Sequence, residues 1–487
     1  MAGTSLMILI TICFYLLLLY FPKVAVSRTL VQYLPGFDGP LPFELETGYV
    51  SVDERNGVEF FYYFVKSENN PMEDPLLLWL SGGPGVSSMT AFALELGPML
   101  FKHVKYNGSL PSLELNPYSW TKVSNIIFLD APVATGFSYS KTPHGSHSTN
   151  TLFAKQVTTF LKKWLNDHQS FRSNSLYIAG DSYSGMIVPI VVQDISDELI
   201  KSFFSCILLE KFAMKNRLNT KPLVDLGYLL GNPVTDRGLE KNSMVPFLRG
   251  MGILSYELFK SVEKNCGGEY VNVHPSNVKC TKDLNAVSEC ISVLYDPQIL
   301  DIKCVDDCPS HKYFVRDKIL LEENLTNIVR LPPQEEGLEC TSYCHLLSYY
   351  WANDNQVQIA LNIRQGTVKE WLRCSSSSLH YIENVNSTIG YHLNLSGKGR
   401  YRSLIYSGDH DMVVPFMSTE EWIRSLNYAI SDQWRPWLVD DQHAGYTKTY
   451  TNNMTFTTVQ GGGHEAPQYK PKQCLAMVQR WLSYKPL

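Results

Sequence analysis

The chain has 487 residues and a net charge of −5, with 44% apolar and 18% charged residues. That balance excludes an intrinsically disordered chain and a strongly basic nucleic-acid binder. The length allows one large domain or two to four small ones, and no solenoid, heptad or Gly-X-Y period runs through it.

The first element is an almost wholly apolar run over residues 6–21, followed by Pro22, Lys23 and the small residues Ala25 and Ser27. Small residues at −3 and −1 fit cleavage before Arg28, and the run is short for a bilayer span. Residues 1–27 are therefore expected to be a signal peptide, with no stable membrane insertion after its removal. Ten of the eleven cysteines fall in the mature chain, and sequons occur at Asn107, Asn324, Asn386, Asn394 and Asn453. Both features suit a secreted glycoprotein. In that compartment disulfides are favoured over a zinc site at Cys304/Cys308 and Cys340/Cys344.

Residues 58–66, 76–80, 125–129, 175–179, 402–406 and 454–459 read as strands, several of them continuous apolar runs of the kind buried in parallel sheets. Residues 152–168 read as a helix with one apolar face. Strand–turn–helix units at both ends of the chain imply an α/β fold with a doubly wound, mostly parallel sheet. Its first part is expected over 28–198 and its second over 341–487. Residues 199–340, rich in cysteine and without clear parallel-strand runs, read as an inserted cap.

Four segments at strand ends carry chemistry. Trp79 to Gly85 is a glycine-rich loop whose backbone N–H groups can stabilise an oxyanion. A phosphate-cradling role is weaker, because no Lys-Ser/Thr follows and Pro84 removes a donor. Gly180-Asp181-Ser182-Tyr183-Ser184-Gly185 sits between a strand and a helix, the context of a nucleophile elbow, with Ser184 where the G-x-S-x-G pattern has glycine. Ser407-Gly408-Asp409-His410-Asp411 places carboxylates past a strand end, where one can orient a histidine. Asp409 is expected to cap the turn. Gly461-Gly462-Gly463-His464 lets the backbone carry His464 close to other loops and completes the order Ser, Asp, His. Gly83 and Tyr183 are the expected oxyanion donors.

The motifs LWLSGGPG, LDAPVATGFSYS, GDSYSG, LLGNPVTD, YWAND, YSGDHDMVVP and GGGHEAP occur in one order. In this the chain resembles the serine carboxypeptidase family, and within it the plant serine carboxypeptidase-like proteins. The resemblance implies an α/β-hydrolase fold, a triad of Ser182, Asp411 and His464, an oxyanion hole at Gly83 and Tyr183, no metal or organic cofactor, and an extracellular or vacuolar location. It also implies bridges Cys266–Cys280 and Cys304–Cys340. Excision around 309–338 would leave two disulfide-linked chains, as in some relatives. Carboxypeptidases hold the substrate carboxylate with an Asn before the loop glycines and a Glu before the nucleophile. Ser81 and Asp181 stand there in this chain, beside Gly82, while Glu95 is kept. These changes resemble the acyltransferase branch, which moves an acyl group from a glucose ester to an alcohol. The substrate is thus expected to be a small acyl ester or a peptide, and the alternative is a catalytically impaired binding protein on a hydrolase scaffold. Val86 replaces a family Cys whose partner matches Cys374. Residues 199–218 form an apolar and basic insert where relatives have a short loop, read as a retained intron or as a cap element.

Overall fold

The computed structural model describes residues 28–198, 226–303, 340–341, 343–375, 379–398 and 401–487. The expected signal peptide, the 199–218 insert, Cys304 and the 309–338 linker with Asn324 lie outside them. Eleven strands are named here: β1 Arg28–Val31, β2 Leu45–Asp53, β3 Val58–Val65, β4 Leu76–Leu80, β5 Asn125–Leu129, β6 Leu176–Asp181, β7 Leu226–Gly231, β8 Arg402–Gly408, β9 Ile430–Val439, β10 Gln442–Tyr450 and β11 Met454–Val459. They form one sheet in the order β1-β2-β3-β5-β4-β6-β7-β8-β11-β10-β9, with Tyr139–Ser140 paired to β3. The six strands from β5 to β11 along this order are parallel. Antiparallel strands flank them on both sides.

The alternation of side chains along each strand divides the core into two layers. From β4, Leu77 and Trp79 enter one apolar cluster with Trp351 and Trp481, while Leu76, Leu78 and Leu80 enter the other with Phe160 and Trp164. Helix α1, Asn150–Asp167, supplies Phe160 and Trp164 and is capped by Thr149, whose hydroxyl accepts from Leu152 N–H. Both faces of the parallel block are therefore covered, which is why its strands read as continuous apolar runs.

The cap boundary needs correction. Residues 199–340 are not all insertion, because β7 lies inside the sheet between β6 and β8. Glycines at 227 and 231 bracket its short Tyr228-Leu229-Leu230 run and weaken its strand signal. The described cap follows β7. Helices α2 Tyr256–Cys266 and α3 Val278–Ile291 are joined by the Cys266–Cys280 disulfide. They close a small separate core around Phe247, Leu248, Val262 and Val287 that also takes in Met412. Cys340 is disulfide-bonded as well. Val86 and Cys374 face each other in an isolated antiparallel bridge, flanked by Ser87 N–H to Arg373 O (2.8 Å) and Ser375 N–H to Gly85 O (2.9 Å). Main-chain pairing thus ties the glycine-rich loop to 373–375. Among the described residues no helix is long and apolar enough to cross a membrane.

The C-terminal end of α1 is fastened to the sheet edge by a buried polar cluster. His168 Nδ1 lies 2.9 Å from Trp164 O and its Nε2 2.9 Å from Glu46 Oε1, which also accepts from Tyr62 OH at 2.7 Å. Burial raises the Glu46 pKa, but the His168 and Tyr62 hydrogen bonds and the Arg28 charge bring it below the ordinary glutamate value. A lowered carboxylate pKa contributes stability above the unfolded value of about 4.3, and that stability is lost as pH falls through the folded value. Glu46→Gln is therefore expected to destabilise the protein by about 1–3 kcal/mol near neutral pH. In denaturant titrations the gap to the parent should shrink below pH 4; a gap unchanged with pH would show that charge has no part in it.

Candidate active site

The site lies at the carboxyl ends of the parallel strands, where open α/β sheets place their ligand crevice. β6 ends at Asp181 and turns at once into a short 3₁₀ helix, Ser182–Met186. Ser182 sits in the turn at φ +52°. The left-handed conformation costs a non-glycine residue about 1–2 kcal/mol and is retained where the surroundings impose it. Ser184, the departure from the common pattern, donates its hydroxyl to Leu80 O (2.7 Å) and Ser81 O (3.1 Å). It thereby ties the turn to the end of β4, a role for which glycine has no atom.

His464 and Asp411 come in from β11 and β8. His464 Nε2 is 2.8 Å from Ser182 Oγ, and its Nδ1 is 2.8 Å from Asp411 Oδ2. Asp411 and His464 are 0% and 1% exposed. Asp411 Oδ1 accepts from Val413 N–H at 2.7 Å, and its Oδ2 accepts from Val414 N–H at 3.2 Å and Asn232 Nδ2 at 2.7 Å. Burial lowers the imidazole's proton affinity. The charge and hydrogen bond of Asp411, with Glu465 and Asp181 behind it, more than reverse that effect. The ring is thus held with one nitrogen at the carboxylate and the other at the serine. Asp409 accepts from Gly461 N–H at 2.6 Å and so fixes the next turn rather than the histidine.

The two loops are stitched together by a segment from the end of the cap. His464 N–H donates to Pro297 O (2.7 Å), Met412 N–H to Asp296 O (3.0 Å), Ile299 N–H to His410 O (3.1 Å) and Gln298 Nε2 to Gly461 O (3.0 Å). This strap accounts for the glycine before His464: a Cβ on Gly463 would stand 2.4 Å from Pro297 O. Nothing in the local sequence at 296–299 signals this role, since its partners lie more than 100 residues away.

Gly82 brings the glycine-rich loop against Ser182. Gly83 has φ +110°. Tyr183 is the second residue of the 3₁₀ helix, so its N–H has no intrahelical acceptor. Its ring is anchored by Asn150 Nδ2 donating to the hydroxyl at 2.8 Å and by the Arg237 guanidinium 5.6 Å above it.

Ser81, Glu95 and Asp181 are all buried beside this loop. Asp181 Oδ1 accepts from Gly82 N–H at 3.1 Å. Burial, then the charge of Glu465, raises its pKa to about 7 against the opposing effects of His464 and Gly82. Glu95 closes a one-turn π-helix, Ala91–Glu95. Its carboxyl is pushed well above the usual range by burial and by Asp181 and Glu465, with Arg373 opposing. Among the described residues, Ser81 Oγ and Glu95 Oε2 have no hydrogen-bond partner. Glu465 and Arg373 belong electrostatically to this pocket, although sequence reasoning did not single them out. Asn107, Asn386, Asn394 and Asn453 are exposed on the surface.

A Cβ at Gly82 would lie 2.6 Å from Ser182 Cβ and 3.0 Å from its Oγ. Gly82→Ala is therefore expected to displace Ser182 and slow its labelling by a serine-reactive phosphonate by on the order of 100-fold. The circular dichroism spectrum should stay that of the parent. Labelling at the parental rate would mean that the loop yields instead.

A family model described as serine carboxypeptidase matches residues 35–484. Serine carboxypeptidase-like 19 of Arabidopsis thaliana is 46% identical over 483 residues, covering 98% of each chain. Serine carboxypeptidase-like 2 of the same plant is 46% identical over 462 residues, 95% of this chain and 94% of that one. A prohormone-processing carboxypeptidase of Saccharomyces cerevisiae superposes with a TM-score of 0.68 at 18% identity, over 93% of this chain and 95% of that chain, a likeness of fold. With an α/β-hydrolase sheet and a family match over nearly its whole length, the chain belongs to the serine carboxypeptidase family.

Proposed function

We propose that the protein transfers acyl groups through a Ser182 acyl-enzyme, taking them from a sugar ester and passing them to an alcohol. The observation that carries the acyl-enzyme part of the reading is the buried Ser182–His464–Asp411 chain, with both contacts at 2.8 Å. His464 Nε2 takes the Ser182 proton as Oγ attacks the ester carbonyl. The Gly83 and Tyr183 N–H groups receive the oxyanion. His464 then protonates the departing sugar oxygen, leaving the acyl group on Ser182. In the second half His464 takes the proton of the acceptor alcohol, which attacks the acyl carbonyl and releases Ser182. Water in place of the alcohol gives hydrolysis.

The pocket's chemistry favours a neutral donor. Ser81 lacks the amide that carboxypeptidases offer a substrate carboxylate, and one oxygen of Asp181 is already engaged by Gly82. Ser81 Oγ and Glu95 Oε2, without partners of their own, suit the hydroxyls of a sugar. Carboxypeptidase action is the second reading, favoured by the raised pKa values of Glu95 and Asp181. While protonated, these carboxyls can donate to a C-terminal carboxylate; ionised, they repel it. We also place the protein in the secretory pathway, outside the cell or in a vacuole, on its N-terminal run and its exposed sequon asparagines.

Product analysis with acyl-glucose esters plus alcohols, and with N-blocked dipeptides, separates the readings. Acyl esters should form, and Ser182→Ala should lower their rate by about 10⁶. Parental behaviour of that variant on both panels would instead indicate a binding protein. If dipeptides are cleaved, their KM should rise as pH climbs past about 7 and Asp181 ionises, whereas the KM for the neutral ester should stay level. Treatment of the secreted protein with peptide-N-glycosidase is expected to reduce its mass; an unchanged mass would leave the exposed sequons unused.

A further inference from the structure

The LLGNPVTD motif at the end of β7 holds a residue to which the reading above gives no part. Asn232 is fully buried, at φ +42°. Its Nδ2 donates to Asp411 Oδ2 at 2.7 Å, the same oxygen that faces His464 Nδ1. Its Oδ1 accepts from Gly408 N–H at 3.0 Å, and its own N–H donates to Tyr406 O at 2.8 Å. The side chain thus bridges the end of β8 to the carboxylate three residues further on, and both of its polar ends are used.

The geometry points to Asn232 as the positioning residue of the triad: its amide fixes the rotation of the Asp411 carboxyl, and through it the plane of His464. This rests on the triad reading above. The remaining donors to Asp411, Val413 N–H and Val414 N–H, come from its own loop. Among the described residues, Asn232 is the one contact besides His464 itself that ties the carboxyl to a different strand. The position demands an unusual combination. Its backbone is left-handed, which asparagine tolerates better than most residues. Its side chain must present a donor to one neighbour and an acceptor to another from two separate atoms, which an amide does without titrating. Glycine would satisfy the backbone alone. A carboxyl would fit the space, but it could serve Asp411 as a donor only while protonated.

The test compares Asn232→Gly, which keeps the backbone conformation and deletes the amide, with the near-isosteric Asn232→Asp. Two readouts are taken per folded molecule: the rate of Ser182 labelling by a phosphonate from pH 5 to 9, and kcat and KM for an acyl-glucose ester. Asn232→Gly should lose on the order of 100-fold in labelling rate and in kcat, the scale of misplaced catalytic geometry, with KM within about twofold of the parent. For Asn232→Asp, the rate relative to the parent should fall as pH rises. Protonated, the introduced carboxyl can replace the amide donor; ionised, it sets a second negative charge against Asp411. The other ionisable groups around the triad, Asp181, Glu465 and Tyr469, are common to both proteins and cancel in the ratio. If Asn232→Gly does not fold, the pH dependence of the Asn232→Asp ratio decides alone. A flat ratio, or rates within twofold of the parent, overturns the positioning role while leaving the triad standing. A parent that is not labelled at Ser182 overturns the triad reading and this inference with it.

Discussion

A carboxylate with no exposed surface sets the terms for the rest of the site. Removing Asp411 from water would cost several kcal/mol without compensation, and a buried group left with open acceptor positions adds to that. Its two oxygens therefore receive four contacts, from two backbone N–H groups, the Asn232 amide and His464. Each brings a different piece of chain. The loop after β8 folds back on itself to present Val413 and Val414. The end of β7 must lie beside β8 to present Asn232, and the end of β11 must lie on the other side of β8 to present His464. The strand order β7-β8-β11 meets all three conditions at once.

Contacts made by backbone atoms hold this arrangement from the outside. The 296–299 strap passes between the two loops and bonds to both, while Ser184 fastens the serine turn to the end of β4. The Val86–Cys374 bridge anchors the far side of the glycine-rich loop. Most of these ties use main-chain donors and acceptors, so they constrain backbone paths while leaving most side-chain identities open. The exceptions are positions where chains approach too closely for a Cβ, as at Gly82 and Gly463.

That division explains what the sequence disclosed. The strands at 76–80, 125–129 and 454–459 are legible because both faces are buried and, Asn125 apart, every residue is apolar or small. The hairpin of β9 and β10 was not, since one face of β9 is largely exposed and residues such as Asp432, Gln433 and Arg435 break up its pattern. The glycines of β7 weaken its local strand signal. The serine turn and the histidine loop stood out because glycine clusters after strands are uncommon. Which of Asp409 and Asp411 faces the histidine came only from resemblance to a family, because two carboxylates two residues apart look alike until the loop's direction is known. Asn232 meets Asp411 across 179 residues, a separation at which no local pattern carries information.

The same geometry bears on how the cap can influence chemistry. Met412 follows Asp411 directly, yet its side chain belongs to the apolar core of the cap, with Phe247, Leu248 and Val262. Its N–H is held by Asp296 in the strap that leads out of the cap. A displacement of the cap would therefore act on the residue next to the buried carboxylate by two routes, side-chain packing and a backbone hydrogen bond. Packed cores deform little before they rearrange, so such a displacement would reach Asp411 rather than dissipate. Asn232 holds the same carboxyl from the end of β7 in the sheet. A change in the packing of the cap around Met412 can therefore reach Asp411 without altering Ser182, Asp411 or His464 themselves.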